Sequence, residues 1–174
     1  MGTNLITSKD APSFGGVYKL AAVMDEKTGK FIPKIKLSEN AEKVTNPGNK
    51  KIYRIYNKKT GKIIADYICL QEEVLETDKP LMLFDPIETW KKTKLNADSF
   101  VTKELLIPIF KNGKCVYKSP KVMEIREFCK EELNTLWDES KRLAYPHQTY
   151  VDLSQKLWDM KYELLQRYNY QEIG

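Results

Sequence analysis

Residues 51–70, KIYRIYNKKTGKIIADYICL, decide how the chain is to be read. Two apolar runs, KIYRIYN and KIIADYICL, flank Lys58-Lys59-Thr60-Gly61. A glycine that accepts the left-handed backbone, set between such runs, marks an antiparallel hairpin with a slightly extended loop. Asp66 stands inside the second run. Strand alternation directs it away from the core, where an acid needs a partner or an exposed face.

The same turn chemistry recurs on both sides. GVYKLAAVM (16–24) and KFIPKIKL (30–37) flank Asp25-Glu26-Lys27-Thr28-Gly29, and ELLIPIFK (104–111) and KCVY (114–117) flank Asn112-Gly113. Asn-Gly is the strongest short hairpin signal, because both turn residues must accept positive φ. KTGK occurs at 27–30 and 59–62, but the flanking strands differ, so the repeat is one of turns and not of a duplicated unit. Pro33 and Pro108 lie in strand-like runs and imply edge strands or bulges, since proline has no N–H for a ladder. The stretch ETDKPLMLFDPIETWKKTKLNADS (76–99) reads as loop-rich, punctuated by Pro80 and Pro86 and packed locally through Leu81, Leu83, Phe84 and Trp90.

The pattern changes at Ser119-Pro120, a cap-and-start signal for a helix. Val122, Ile125, Cys129, Leu133 and Leu136 recur at helical spacing, predicting a helix to about Arg142. Tyr145-Pro146 breaks it. A second helix is expected from near Asp152 to 168, with Leu153, Leu157, Met160, Leu164 and Tyr168 as its stripe. Two such stripes predict an antiparallel helix pair covering a sheet. The expected class is α+β: three antiparallel hairpins followed by two C-terminal helices.

The 174 residues suffice for a core. Of 29 basic residues only Arg54, Arg126, Arg142 and Arg167 are arginines. Base reading and two-point phosphate clamping favour arginine, so the net charge of +5 reads as a solvated surface and not as a nucleic-acid face. Cys69, Cys115 and Cys129 are too scattered for a disulfide frame or a zinc site. No run approaches the roughly 18 apolar residues of a spanning helix, and no signal peptide leads the chain. These features predict a cytoplasmic protein without membrane contact.

Candidate chemistry is sparse. His147, the single histidine, falls in the turn AYPHQTY and reads as a turn or surface residue with no role assigned. Glu72, Glu73 and Glu76 read as a solvated acidic loop. In GTNLITSKDAPSFGG (2–16), small residues would let backbone N–H groups approach a phosphate, with a threonine hydroxyl as a further donor. By itself, Gly-Thr is equally an ordinary turn.

GTNLITSKDAPSFGGVYKLAAV (2–23) resembles the late active-site segment of bacterial nicotinate phosphoribosyltransferases, in which a Gly-Val-Gly-Thr turn ends a barrel strand. The resemblance continues through KIKLSENAEKVTNPGNKKIYRIY (34–56), LFDPIETWKKTKL (83–95), KNGKCVY (111–117), SPKVMEIREFCKEELNTLWDESKRL (119–143) and YPHQTYVDLSQKLWDMKYELL (145–165). It therefore covers nearly the whole chain, in order. It implies the C-terminal part of an α/β-barrel enzyme that joins nicotinate to 5-phosphoribosyl-1-pyrophosphate in NAD salvage. ATP hydrolysis through a phosphohistidine, with Mg2+, would drive the reaction, and the enzyme would be a homo-oligomer.

Carried onto this chain, the resemblance gives Gly2, Thr3 and the weaker neighbour Asn4 a role in holding the ribose 5-phosphate. Lys9 and Lys19 would add positive charge nearby. The phosphohistidine and the nicotinate-binding residues lie upstream in the family, and His147 does not match the former, so no catalytic residue is assigned here. The implied organisation is the end of the barrel with the phosphate loop (1–24), a hairpin-rich region (25–118) and a helical pair (119–174). Met1 stands where the family has valine, which suggests a start at an internal GTG codon of a longer gene and a missing N-terminal part or second subunit. The alternative is a stand-alone, non-catalytic module binding phosphate-bearing ligands or a partner chain; a basic nucleic-acid binder is a weaker third.

Overall fold

A computed structural model describes residues 16–88 and 90–169. The central hairpin is as the sequence predicts. Strands β3 (Lys50–Asn57) and β4 (Ile63–Leu70) pair antiparallel, with Arg54 opposite Asp66 and an irregularity between Ile55 and Tyr56. Gly61 turns at φ +66°, and the Asn57 side-chain oxygen accepts from the Lys59 and Thr60 N–H groups.

The first hairpin also forms, as the short strands β1 (Ala22–Met24) and β2 (Phe31–Pro33) of a separate two-stranded sheet. Pro33 sits at its end, where no ladder donor is needed. At the third, Asn112 and Gly113 both take positive φ, as their turn type requires. Its strands, β8 (Phe110–Lys111) and β9 (Lys114–Cys115), are only two residues each.

Three expectations need correction. The stretch 76–99 is mostly loop, as expected, but not loop alone. It carries strands β5 (Leu81–Phe84) and β6 (Lys92–Leu95), and its prolines stand outside the strands. Trp90, expected to pack there, is 78% exposed. Second, β10 (Tyr150–Leu153) is a strand where the second helix was expected to begin. It enters between β4 and β5, parallel to the first and antiparallel to the second. Third, the helices do not cover the sheet as a pair. Helix α1 (Val122–Thr135) buries none of its residues, and Val122 is 79% exposed. It starts two residues after Ser119-Pro120, with the Glu124 carboxylate accepting from the Lys121 N–H, and it ends at Thr135 and not near Arg142, where only a 3-10 turn, Asp138–Lys141, follows. Helix α2 (Gln155–Asn169) supplies the covering layer alone: Leu157 packs with Leu70, Phe84 and Leu153.

The main sheet has the order β6-β5-β10-β4-β3-β7, where β7 is Phe100–Glu104. Its two edge strands follow one another in the chain, joined only by residues 96–99. Six flat strands would hold their edges about 24 Å apart at the usual ~4.8 Å spacing. The short link reaches at most roughly 18 Å. The sheet must therefore curl, and its concave face encloses Ile55, Ala65, Tyr67, Cys69, Leu83 and Phe100, all buried. The convex face carries Leu70, Phe84 and Leu153 under α2. No helix among the described residues is long and apolar enough to cross a membrane.

Candidate functional site

Because β4 and β10 run parallel, they open at the same end of the curled sheet. A cavity of about 980 Å³ lies there, between the sheet and the segment 136–149 that follows α1. Trp137 pins this segment down, its indole Nε1 donating to the Ile63 carbonyl at 2.6 Å. The Lys62 ammonium holds the end of α1 by donating to the carbonyls of Asn134 (2.8 Å) and Leu136 (3.0 Å). Helix C-termini leave such carbonyls without an intrahelical donor.

Asp152 lines the cavity from β10. Register with Tyr67 puts its side chain on the concave face, where it is 8% exposed. Burial, reinforced by the nearby Asp85 carboxylate, pushes its pKa up, and Lys91 opposes this. Lys91 lies 3.8 Å from Asp85 and 5.0 Å over the Tyr150 ring. His147 also lines the cavity, its backbone N–H donating to the Glu139 carbonyl.

Two further polar groups are structural. Asp66 does point away from the concave core, and it has its partner: Arg54 donates to both carboxylate oxygens, at 2.7 and 2.9 Å. Glu132 of α1 joins the pair at 3.3 Å and takes Lys103 at 2.6 Å, which ties α1 to the sheet. Glu73 corrects the reading of a solvated acidic loop. Its Oε1 accepts from the Leu70 N–H (2.7 Å) and from Ser154 Oγ (2.6 Å), while Ser154 Oγ accepts the Leu157 N–H and so caps α2.

Of the residues expected to bind phosphate, Gly2, Thr3, Asn4 and Lys9 lie outside the described residues. Lys19 is described, and its ammonium donates to the Lys43 carbonyl. The TNPG segment packs under α2. Pro47 is fully buried, Gly48 takes φ +89°, and Lys161 of α2 donates to Asn46 Oδ1 (2.9 Å) and to the Pro86 carbonyl (2.8 Å). Burial lowers the pKa of Lys161.

Asp152 and Lys161 were not singled out in the sequence. The available signal was Ser154: as a helix cap it would have left 150–153 as a separate strand.

The model of the nicotinate phosphoribosyltransferase C-terminal domain matches residues 49–161. The chain belongs to that family. The matched span runs from Asn49, before β3, to Lys161 in α2, and so takes in the whole curled sheet. The nicotinate phosphoribosyltransferase of Bacillus subtilis is 40% identical over 161 residues, 92% of this chain and 32% of its own length. That of Caenorhabditis elegans is 32% identical over 166 residues, 94% of this chain and 28% of its own. The crystal structure of human nicotinic acid phosphoribosyltransferase shares the fold, with a TM-score of 0.61 at 24% identity over 68% of this chain and 23% of that one. The chain thus spans about a third of the length of the curated relatives it matches. The α+β architecture of hairpins and two helices agrees with that fold.

Proposed function

We propose that this chain serves as the C-terminal part of a nicotinate phosphoribosyltransferase. The whole enzyme would join nicotinate and 5-phosphoribosyl-1-pyrophosphate to nicotinate mononucleotide and pyrophosphate, with ATP hydrolysis, in cytoplasmic NAD salvage. The observation that carries the reading is the 40% identity to the Bacillus subtilis enzyme across 92% of the chain. Displacement of pyrophosphate from an anomeric carbon mainly needs two anionic partners held in line and charge stabilised. In this reading Gly2 and Thr3, with Asn4 beside them, hold the ribose 5-phosphate, and Lys9 and Lys19 add charge nearby.

The described residues contribute a scaffold to this chemistry. Among them no group of three or more His, Cys, Asp or Glu side chains is placed to hold a metal ion. The reading assigns ATP, Mg2+ and the phosphohistidine to the part of the enzyme that precedes this segment. It also takes the enzyme to be a homo-oligomer.

A chimaera tests it. This chain replaces the matching C-terminal segment of the Bacillus subtilis enzyme, and nicotinate mononucleotide formation is measured beside the isolated 174-residue chain. The chimaera is expected to turn over and the isolated chain to be silent. A folded but inactive chimaera, or turnover by the chain alone, overturns the reading.

A further inference from the structure

Helix α1 carries an apolar stripe that the described residues leave open. Ile125, Phe128, Cys129, Leu133 and Leu136 recur along one side of it and line a groove of about 480 Å³ between the helix and the sheet. Ile125, Phe128 and Leu133 are each at least half exposed there. What holds α1 in place is polar: Glu132 reaches Arg54 and Lys103, and Lys62 takes the last carbonyls. A helix of 14 residues draws most of its stability from packing its apolar side, and here that side is only half packed.

The groove narrows what can fill it. Arg54, Asp66, Lys103 and Glu132 on its floor neutralise one another, so the floor selects an apolar occupant. The apolar surface does not stop there. From Leu105, on the groove wall, the chain runs on through Leu106, Ile107 and Phe110, all more than half exposed. A small molecule in the groove would leave that run bare, whereas a polypeptide face covers both. Extended exposed apolar surface marks protein contacts. The curated relatives continue for about two thirds of their length outside the matched segment, so the covering polypeptide is at hand in the enzyme itself.

We propose that the groove and the run 105–110 are the docking face for the remainder of the enzyme's own polypeptide, which lays an apolar helix or strand face against α1. This docking rests on the reading of the chain as the enzyme's C-terminal part, and adds where the two parts meet.

The Cys129 thiol reports on the groove, because it is exposed and lines it. Its alkylation is followed by peptide mass spectrometry in the isolated 174-residue chain and in the chimaera that carries this chain in the Bacillus subtilis enzyme. In the isolated chain Cys129 should react promptly. In the chimaera it should react at least about tenfold more slowly, at every protein concentration. Equal rates in a folded chimaera overturn the proposal, whether or not nicotinate mononucleotide is made. Protection in a chimaera that makes none supports the docking while overturning the catalytic reading. Slow reaction in the isolated chain means that the chain covers its own groove, and protection that fades on dilution means that a second copy does; either overturns the proposal.

Ile125→Glu keeps the test decisive should the chimaera not fold. The isolated variant should melt within about 2 °C of the parent, as a surface change does. A larger drop shows that the stripe belongs to the chain's own core and overturns the proposal. In a folded chimaera the same charge is buried against an apolar face, and the melting temperature should fall well beyond that margin. An unchanged melt there overturns the proposal as well.

Discussion

Arg54 and Asp66 stand opposite each other on β3 and β4 and share two hydrogen bonds, Nε to Oδ1 at 2.7 Å and Nη2 to Oδ2 at 2.9 Å. Both side chains are mostly shielded from solvent, and Glu132 reaches the same guanidinium from α1. Asp66→Asn leaves the arginine with a weaker acceptor, and Arg54→Leu leaves two carboxylates without their fork. Each single change should destabilise the chain by about 1–3 kcal/mol in urea unfolding. The double variant should cost less than the two added together. Strictly additive losses would show that the pair is not a unit.

Gly48 is irreplaceable for two reasons that coincide. Its φ is +89°, and a Cβ there would lie 2.8 Å from Leu70 Cδ2 and 3.2 Å from Met160 Sδ. Leu70 is buried, so displacing its Cδ2 disturbs the packing around it. Gly48→Ala should therefore cost about 2 kcal/mol or more. Gly61 has φ +66° but open space around it, so Gly61→Ala should cost only about 1 kcal/mol. Thermal unfolding of the two variants checks the order.

Asp152 predicts a pH effect of defined sign. Its folded pKa lies above the ordinary 3.8, so the folded state binds its proton more tightly than the unfolded one. Its favourable contribution is complete below 3.8 and is lost as pH rises through the folded value. At neutral pH the buried charge is a burden. Asp152→Asn should raise stability at pH 7 and flatten the fall in stability above pH 3.8. A stability loss at pH 7 with an unchanged pH profile would contradict this.

The cysteines should react unequally. Burial, helped by Glu73, pushes the Cys69 thiol up to about 11, while Cys115 and Cys129 are exposed. The thiolate is the nucleophile, so at pH 8 Cys69 is protonated as well as covered. A thiol reagent should label Cys115 and Cys129 promptly and Cys69 only on unfolding. Mass spectrometry of the alkylated chain reads the result directly.

The sequence by itself determined the local parts of this protein. Turn glycines and Asn112-Gly113 demand positive φ, a property of single residues, so all three hairpin turns were legible. The alternation in KIIADYICL placed Asp66 off the concave core, and the ordered run of short motifs carried the family. What is decided over long separations was not legible. The run LMLF reads equally as a packed loop or a strand until β6 pairs along its whole length and β10 meets its last residue. YVDL is a strand only because β4 and β5 leave a gap between them. The stripe of α1 obeys helical spacing as well as that of α2, yet only α2 meets a sheet face. Asp152 shows the same limit at the level of chemistry. Its burial follows from the curl of the sheet, which the four-residue link between β6 and β7 enforces. Spacing along a chain reports backbone preference, but burial and charge balance depend on which surfaces meet.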